Sequence, residues 1–188
     1  MALFNSLFNK LNHVSDFMSD NRVDIMGIAE TWLLSSIPDS FVSLDNFNLV
    51  RCDVEGLVPK HGVCIYVTKR VDFVRVDVGC PNCVVVHLFD FDVYVCVVYR
   101  PPSYSLEENE VLICFLEQFC ISREVVILGD FNLPSLRWSA AGGAAVSCGL
   151  PALERSFLDC FLRVGFSQWV CEPTFAASGN TLDLTSLE

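Results

Sequence analysis

The chain has 188 residues, of which 52% are hydrophobic and 12% aromatic, and a formal net charge of −11. That length and apolar content predict one domain with a substantial buried core and exclude a disordered chain. The acidic balance excludes a general electrostatic grip on nucleic acid, so any DNA contact has to rest on local positive charge.

Mean hydropathy is high at +0.44, yet no apolar stretch reaches the ~18 residues that a spanning helix needs. No membrane association is expected. Met1-Ala2-Leu3-Phe4-Asn5 lacks the basic start and long apolar middle of a signal peptide. A soluble intracellular domain is therefore expected. Most of the ten cysteines, Cys64, Cys96, Cys114, Cys120 and Cys160 among them, sit in apolar runs, where a free thiol behaves as a small buried hydrophobe. Cys80-Pro81-Asn82-Cys83 is the one C-x-x-C. It has no second ligand pair at zinc spacing and no helix start after its first Cys, so it reads as a turn between strands.

In chain order, residues 6–20 place Leu7, Leu11, Val14, Phe17 and Met18 at helical spacing with one buried face. The apolar run Val23 to Ala29 predicts a strand ending at Glu30. Residues 39–60 mix polar positions with Gly56 and Pro59 and read as irregular surface. Segments 62–67, 71–78, 84–89 and 93–99 predict mostly antiparallel strands. Residues 106–121 predict a second helix with Leu112, Phe115, Leu116 and Phe119 as its apolar stripe. Val126-Ile127-Leu128-Gly129 is a short buried strand, and Gly142-Gly143 a flexible loop. Residues 150–164 predict a third helix closed by Gly165. Residues 166–183 return to the sheet. Strands grouped between helices predict an α+β domain of two packed sheets with helices outside, and no repeat or linker divides the chain.

Four strand ends carry polar chemistry. Val126-Ile127-Leu128-Gly129 runs into Asp130-Phe131-Asn132. Alternation along a strand puts Asp130 and Asn132 on one side at the sheet mouth, with Phe131 turned into the body. An acid beside a neutral hydrogen-bonding amide suits attack on a phosphate ester. A local Asx-turn accounts equally for the pair. Ala29-Glu30-Thr31-Trp32, Val98-Tyr99-Arg100-Pro101-Pro102 and Asn180-Thr181-Leu182-Asp183-Leu184 are the others, with Gln168-Trp169-Val170 and Pro173-Thr174 before the last.

In that order and spacing these motifs resemble the endonuclease/exonuclease/phosphatase superfamily, over residues 6–184. Ala-Glu-Thr-Trp-Leu, Val-Tyr-Arg-Pro-Pro and Gln-Trp-Val before Pro-Thr are similar to the endonuclease domain of non-LTR (LINE-type) retrotransposons. The resemblance implies a four-layer α/β/β/α sandwich and phosphodiester hydrolysis with Mg²⁺ or Mn²⁺. It implies Glu30 as metal ligand and Asp130 as the group handling the proton of the attacking water or leaving group. Asn132 would hold that acid and the phosphate, and Tyr99 would donate to a phosphate oxygen. Arg100 and Thr174 would contact substrate, although Thr174 serves equally as a loop cap.

Asp183 matches a position that orients a histidine, which the superfamily carries in a later Ser-Asp-His motif. None of His13, His61 and His87 reads as a substitute: each falls where a packing or surface role is commoner. A metal-site Asn expected before the first helix aligns with Leu3, two residues from Asn5. The expectation is thus a single domain lacking terminal strands, incomplete at its C-terminal end and also at its N-terminal end. Arg51, Lys60, Lys69, Arg70 and Arg100 are the cations available to DNA, a thin set that predicts weak, salt-dependent binding. A reverse transcriptase in a longer protein, and a nuclear location, belong to the retrotransposon reading. The alternatives are a non-catalytic relic or binding domain on the same scaffold, and a phosphatase for phosphoinositides or other small phosphoesters.

Overall fold

A computed structural model describes residues 7–55, 60–138, 144–145, 149–170 and 183–186. Helix α1 (Leu7–Asp20) leads into β1 (Ile25–Ala29), β2 (Phe47–Cys52) and β3 (Val63–Thr68). These strands make an antiparallel sheet in the order β1-β3-β2. β4 (Phe73–Val76), β5 (Cys83–Leu88) and β6 (Val93–Tyr99) begin a second sheet. Helix α2 (Leu106–Cys120) then crosses back to β7 (Val125–Asp130). After a two-residue pairing of β8 (Arg137–Trp138) with β9 (Ala144–Ala145) come α3 (Ala152–Arg163) and β10 (Asp183–Ser186). The second sheet has the order β10-β7-β6-β5-β4, antiparallel except for β6 beside β7. That one parallel pair follows from the crossover, because strands joined through a helix on one face run in the same direction.

Period-2 alternation builds four layers. Val63, Ile65 and Val67 of β3 meet Val84, Val86, Leu88, Val95 and Val97 of β5 and β6 in the core between the sheets. The other side of β3, Cys64 and Tyr66, lies under α1 with Leu7, Met18, Leu33, Val42 and Leu44. On the far face, Val85, Cys96, Val98 and Ile127 pack against Leu112 and Leu116 of α2 and Phe157 and Phe161 of α3. β3 is buried along its whole length, which is why it reads as a continuous apolar run rather than an alternating one.

The three predicted helices form. Ser105 and Glu108 cap α2 reciprocally, with the Glu108 amide donating to Ser105 Oγ at 3.2 Å and the Ser105 amide to Glu108 Oε2 at 2.7 Å. Gly165 closes α3 at φ +73°, and the Phe166 amide donates to the Phe161 carbonyl at 2.8 Å, a Schellman ending. Phe17 departs from the predicted stripe of α1 and stands exposed. Residues 39–60 are not irregular throughout, for they contain β2. Phe47 and Leu49 join the α1 side while Val50 joins the inter-sheet core. Asn48 and Arg51 interrupt that pattern in the sequence, so the strand is visible only once both faces are seen. The Gly142-Gly143 segment lies outside the described residues.

Gly27 sets the spacing of the sheets. A Cβ there would collide with Val97 Cγ2 and lie 3.1 Å from Leu128 Cδ1, so β1 rests directly on β6 and β7. Gly27→Ala should lower stability by about 1–3 kcal/mol through overpacking. Urea unfolding of the single variant and of Gly27→Ala/Val97→Ala checks this, with partial recovery expected in the double variant because the second change removes the colliding methyl.

Candidate active site

The ends of β1, β6 and β7 come together at one rim. Tyr99, last in β6, pairs in register with Asp130, last in β7. Glu30 follows β1. Alternation alone would put it on the α1 side with Met26 and Ile28, because Ala29 faces between the sheets. Its left-handed backbone, φ +55°, breaks the alternation. The carboxylate instead accepts a hydrogen bond from the Tyr99 hydroxyl of the opposite sheet. Burial, and then that hydrogen bond to Glu30, push the Tyr99 phenol well above its ordinary value, with the Asn132 side chain opposing.

The segment after β7 is fixed from two directions. Asp130 Oδ1 accepts the Asn132 amide at 2.9 Å, the Asx-turn, and Asn132 Nδ2 donates to the Arg100 carbonyl at 3.0 Å. Phe131 turns inward as expected, fully buried against Phe157 and Phe161 at ring separations of 6.3 and 5.5 Å. Asp130 and Asn132 stay half-buried at the rim.

Arg100 takes a different place from the substrate contact expected of it. It is 3% exposed. Its Nε donates to Asn109 Oδ1 at 2.6 Å, and Nη1 donates to the Phe131 and Asn132 carbonyls, both at 3.1 Å. Asn109 is in turn held by the Tyr104 and Ser105 carbonyls. Burial lowers the Arg100 pKa, against the opposing charges of Glu154 and Asp130. Arg100 therefore braces the Asp130–Asn132 segment from beneath. Arg51 is similarly committed, to Asp39, Asp53 and the Ile37 and Leu34 carbonyls. Of the cations expected to serve DNA, Lys60, Lys69 and Arg70 are exposed, the last paired with Asp24 at 2.6 Å.

Asp183 begins β10 and stands opposite Asp130 in the antiparallel register, so Tyr99, Asp130 and Asp183 occupy one row across three strands. Thr174 lies outside the described residues. His61, read from the sequence as packing or surface, sits at this rim with its ring 5.3 Å from that of Tyr99. Burial lowers its pKa, the charge of Glu30 opposing, and its buried Nδ1 has no hydrogen-bond partner among the described residues. Its carbonyl accepts the Trp32 amide at 2.8 Å, and that of Gly62 accepts the Thr31 amide at 3.1 Å. These two bonds carry the β1–β3 pairing past the strand end. No spacing in the sequence announces His61, because its neighbour Tyr99 is 38 positions on and in the other sheet. His13 lies in α1, and His87 in β5 bonds Asp92 at 2.8 Å.

Glu30, His61 and Asn132 all have φ between +48° and +55°. Non-glycine residues rarely adopt that region, and such strain clusters where structure serves a site. Among the described residues no group of three or more His, Cys, Asp or Glu side chains forms a metal cage. The oxygen donors at the rim fit a hard cation held by one exposed carboxylate, Glu30, with water and phosphate filling its shell.

Two sheets packed face to face with helices outside, and an acidic rim at the strand ends, define the endonuclease/exonuclease/phosphatase fold. Solved structures share it. The chain superimposes on an AP endonuclease from Archaeoglobus fulgidus with a TM-score of 0.60 and 15% identity, over 96% of this chain and 82% of that one. The endonuclease domain of TRAS1, a telomere-specific non-LTR retrotransposon, matches with a TM-score of 0.66 and 15% identity over 94% and 78%. AP endonuclease LMAP from Leishmania major matches with 0.63 and 13% over 87% and 65%. No family model and no curated protein matches the sequence. Among the described residues no helix is long and apolar enough to cross a membrane.

Arg100→Met should cost about 3 kcal/mol or more, since it leaves the buried oxygens of Asn109 and of the Phe131 and Asn132 carbonyls unpaired. Arg100→Lys should recover little, because an ammonium cannot fork to all three. Denaturant midpoints check both. A phenol whose folded pKa is raised contributes stability that is present below its unfolded value of 10.0 and is lost as pH rises beyond it. Unfolding free energy should therefore fall less steeply above pH 10 in Tyr99→Phe than in the parent chain.

Proposed function

We propose that this chain is a divalent-metal-dependent phosphodiesterase that nicks DNA, of the kind carried by non-LTR retrotransposons. The observation that carries the reading is the Tyr99–Glu30 hydrogen bond across the two sheets, beside Asp130 in register. It brings two carboxylates and a phenol to one rim, and this supports reading Glu30 as metal ligand, Tyr99 as phosphate donor and Asp130 as the group that handles the proton.

A bound Mg²⁺ or Mn²⁺, held by Glu30, supplies charge withdrawal from phosphorus and stabilises the leaving oxygen. The other steps belong to the chain. Asp130, oriented by the Asn132 amide, accepts a proton from the attacking water as its oxygen bonds to phosphorus and the bond to the leaving oxygen breaks. The Tyr99 hydroxyl, which donates to Glu30 in the free chain, turns its one proton to a non-bridging phosphate oxygen once substrate is bound. Asn132 adds a hydrogen-bonding group without adding negative charge. Arg100 holds Asp130 and Asn132 in place. For Asp183, one strand from Asp130 in the register, the resemblance implies an orienting role, and for Thr174 a phosphate contact. With a net charge of −11 and with Arg51 and Arg100 committed to internal partners, DNA binding is weak and falls steeply with salt. In its biological setting the domain acts in the nucleus and is joined to a reverse transcriptase.

A second reading, a non-catalytic relic or binding domain, is favoured by the net charge of −11 and by the burial of Arg51 and Arg100. Nicking of supercoiled plasmid at low salt separates the two. The expected result is Mg²⁺-dependent nicking that Glu30→Gln and Asp130→Asn each reduce by ~10²–10⁴, with turnover of inositol phosphates far below that of plasmid. Glu30→Gln should in addition raise the Mg²⁺ concentration needed. A cooperatively folded chain that neither nicks nor binds Mg²⁺ at millimolar levels would establish the second reading instead.

A further inference from the structure

Nothing in the proposed chemistry uses Cys80-Pro81-Asn82-Cys83. Pro81 and Asn82 are the central residues of the turn that enters β5, with Asn82 at φ +52°. Proline at the first central position and a left-handed Asn at the second suit a tight turn. Such a turn holds its first and last Cα atoms within ~7 Å, and a disulfide requires a Cα separation of ~4.4–6.8 Å. The turn thus brings two thiols together, with Cys83 Sγ 3.1 Å from Cys80 Sγ.

We propose that Cys80 and Cys83 form a dithiol site that a hydroperoxide converts reversibly into a disulfide. Access is through a cavity of about 270 Å³ lined by both cysteines with Arg75 and Asp77. Cys80 also borders a larger cavity of about 670 Å³ beside α2. Cys80 sulfur attacks a peroxide oxygen, the O–O bond breaks, and Cys80 becomes a sulfenic acid as one water (or alcohol) leaves. Cys83 sulfur then attacks the sulfenic sulfur, a second water leaves, and the S–S bond forms. The dithiol loses two electrons and the peroxide gains them. Burial pushes the Cys83 thiol well above its ordinary value, and its closeness to Cys80 makes the second step intramolecular. A small dithiol reverses the bond by exchange.

The bond would close next to the site. The Asn82 carbonyl accepts the Tyr99 amide at 3.0 Å, and Asn82 Nδ2 donates to the Tyr104 hydroxyl at 2.7 Å. Cys83 itself pairs with Val98, one residue before Tyr99.

The test treats the folded 188-residue chain with hydrogen peroxide, alkylates remaining thiols under denaturing conditions, and weighs the tryptic peptide of residues 76–123, since the Arg100–Pro101 bond resists trypsin. It carries Cys80, Cys83, Cys96, Cys114 and Cys120. The expected result is loss of two hydrogens, fragment ions that place the link between Cys80 and Cys83, alkylated Cys96, Cys114 and Cys120, and full reversal by dithiothreitol. Cys83→Ala should stop at a Cys80 sulfenic acid that dimedone traps, and the parent result stands by itself if that variant does not fold. Oxidation of the exposed Cys114 while Cys80 and Cys83 remain thiols would overturn the proposal. So would a link from either of them to Cys52 or Cys96, or a Cys80 sulfinic acid without any link.

Discussion

The missing side chain at Gly27 governs how the two halves meet. Because β1 carries no Cβ at that position, it lies against Val97 and Leu128 without a spacer. The strand ends that follow, Ala29 on one sheet and Tyr99 and Asp130 on the other, are thereby brought to one rim. A hydrogen bond between Glu30 and Tyr99 spans residues 69 positions apart in the chain. It forms at the end where β1 rests directly on β6 and β7. Inter-sheet packing is usually described as a source of stability, and here it is equally a positioning device.

A second constraint acts from the opposite side. The Asp130–Asn132 segment leaves a strand whose next residue, Phe131, is buried among α3 aromatics. Its carbonyls would be unsatisfied there without the Arg100 guanidinium. A buried arginine is costly to desolvate, and among the described residues its side-chain hydrogen bonds go to carbonyl and amide oxygens rather than to a carboxylate. The charge of Arg100 is spread into the frame of the rim instead of being offered to a ligand. That leaves the rim with the carboxylates of Glu30 and Asp130 and without the charge of Arg100.

The same geometry explains why strain collects where it does. Glu30, His61 and Asn132 adopt left-handed backbones at three strand ends, and at Glu30 this redirects the side chain relative to the strand's alternation. A regular strand would send the Glu30 carboxylate under α1, where Met26 and Ile28 pack. The turn at Asn82 is of the same kind, and it presents its flanking cysteines to one another. Backbone exceptions thus mark both the rim and the dithiol turn, while the strands between them stay regular.

Much of this was legible in the chain itself. Helical spacing of Leu7, Leu11 and Val14, the apolar stripe of residues 106–121, and apolar runs ending in Glu30, Tyr99 and Asp130 are local patterns, governed by neighbours within a few residues. They determined the elements, the layer class and the main polar residues. β2 was not legible, because its two faces serve different cores and its apolar residues are split between them. Nor was the burial of Arg100 and Arg51, whose partners are Asn109 and the segments around Phe131 and Asp39. His61 beside Tyr99 belongs to the same group. These are contacts between elements, created when two sheets close on one another, and a linear pattern carries no record of which side chain a distant strand will place opposite.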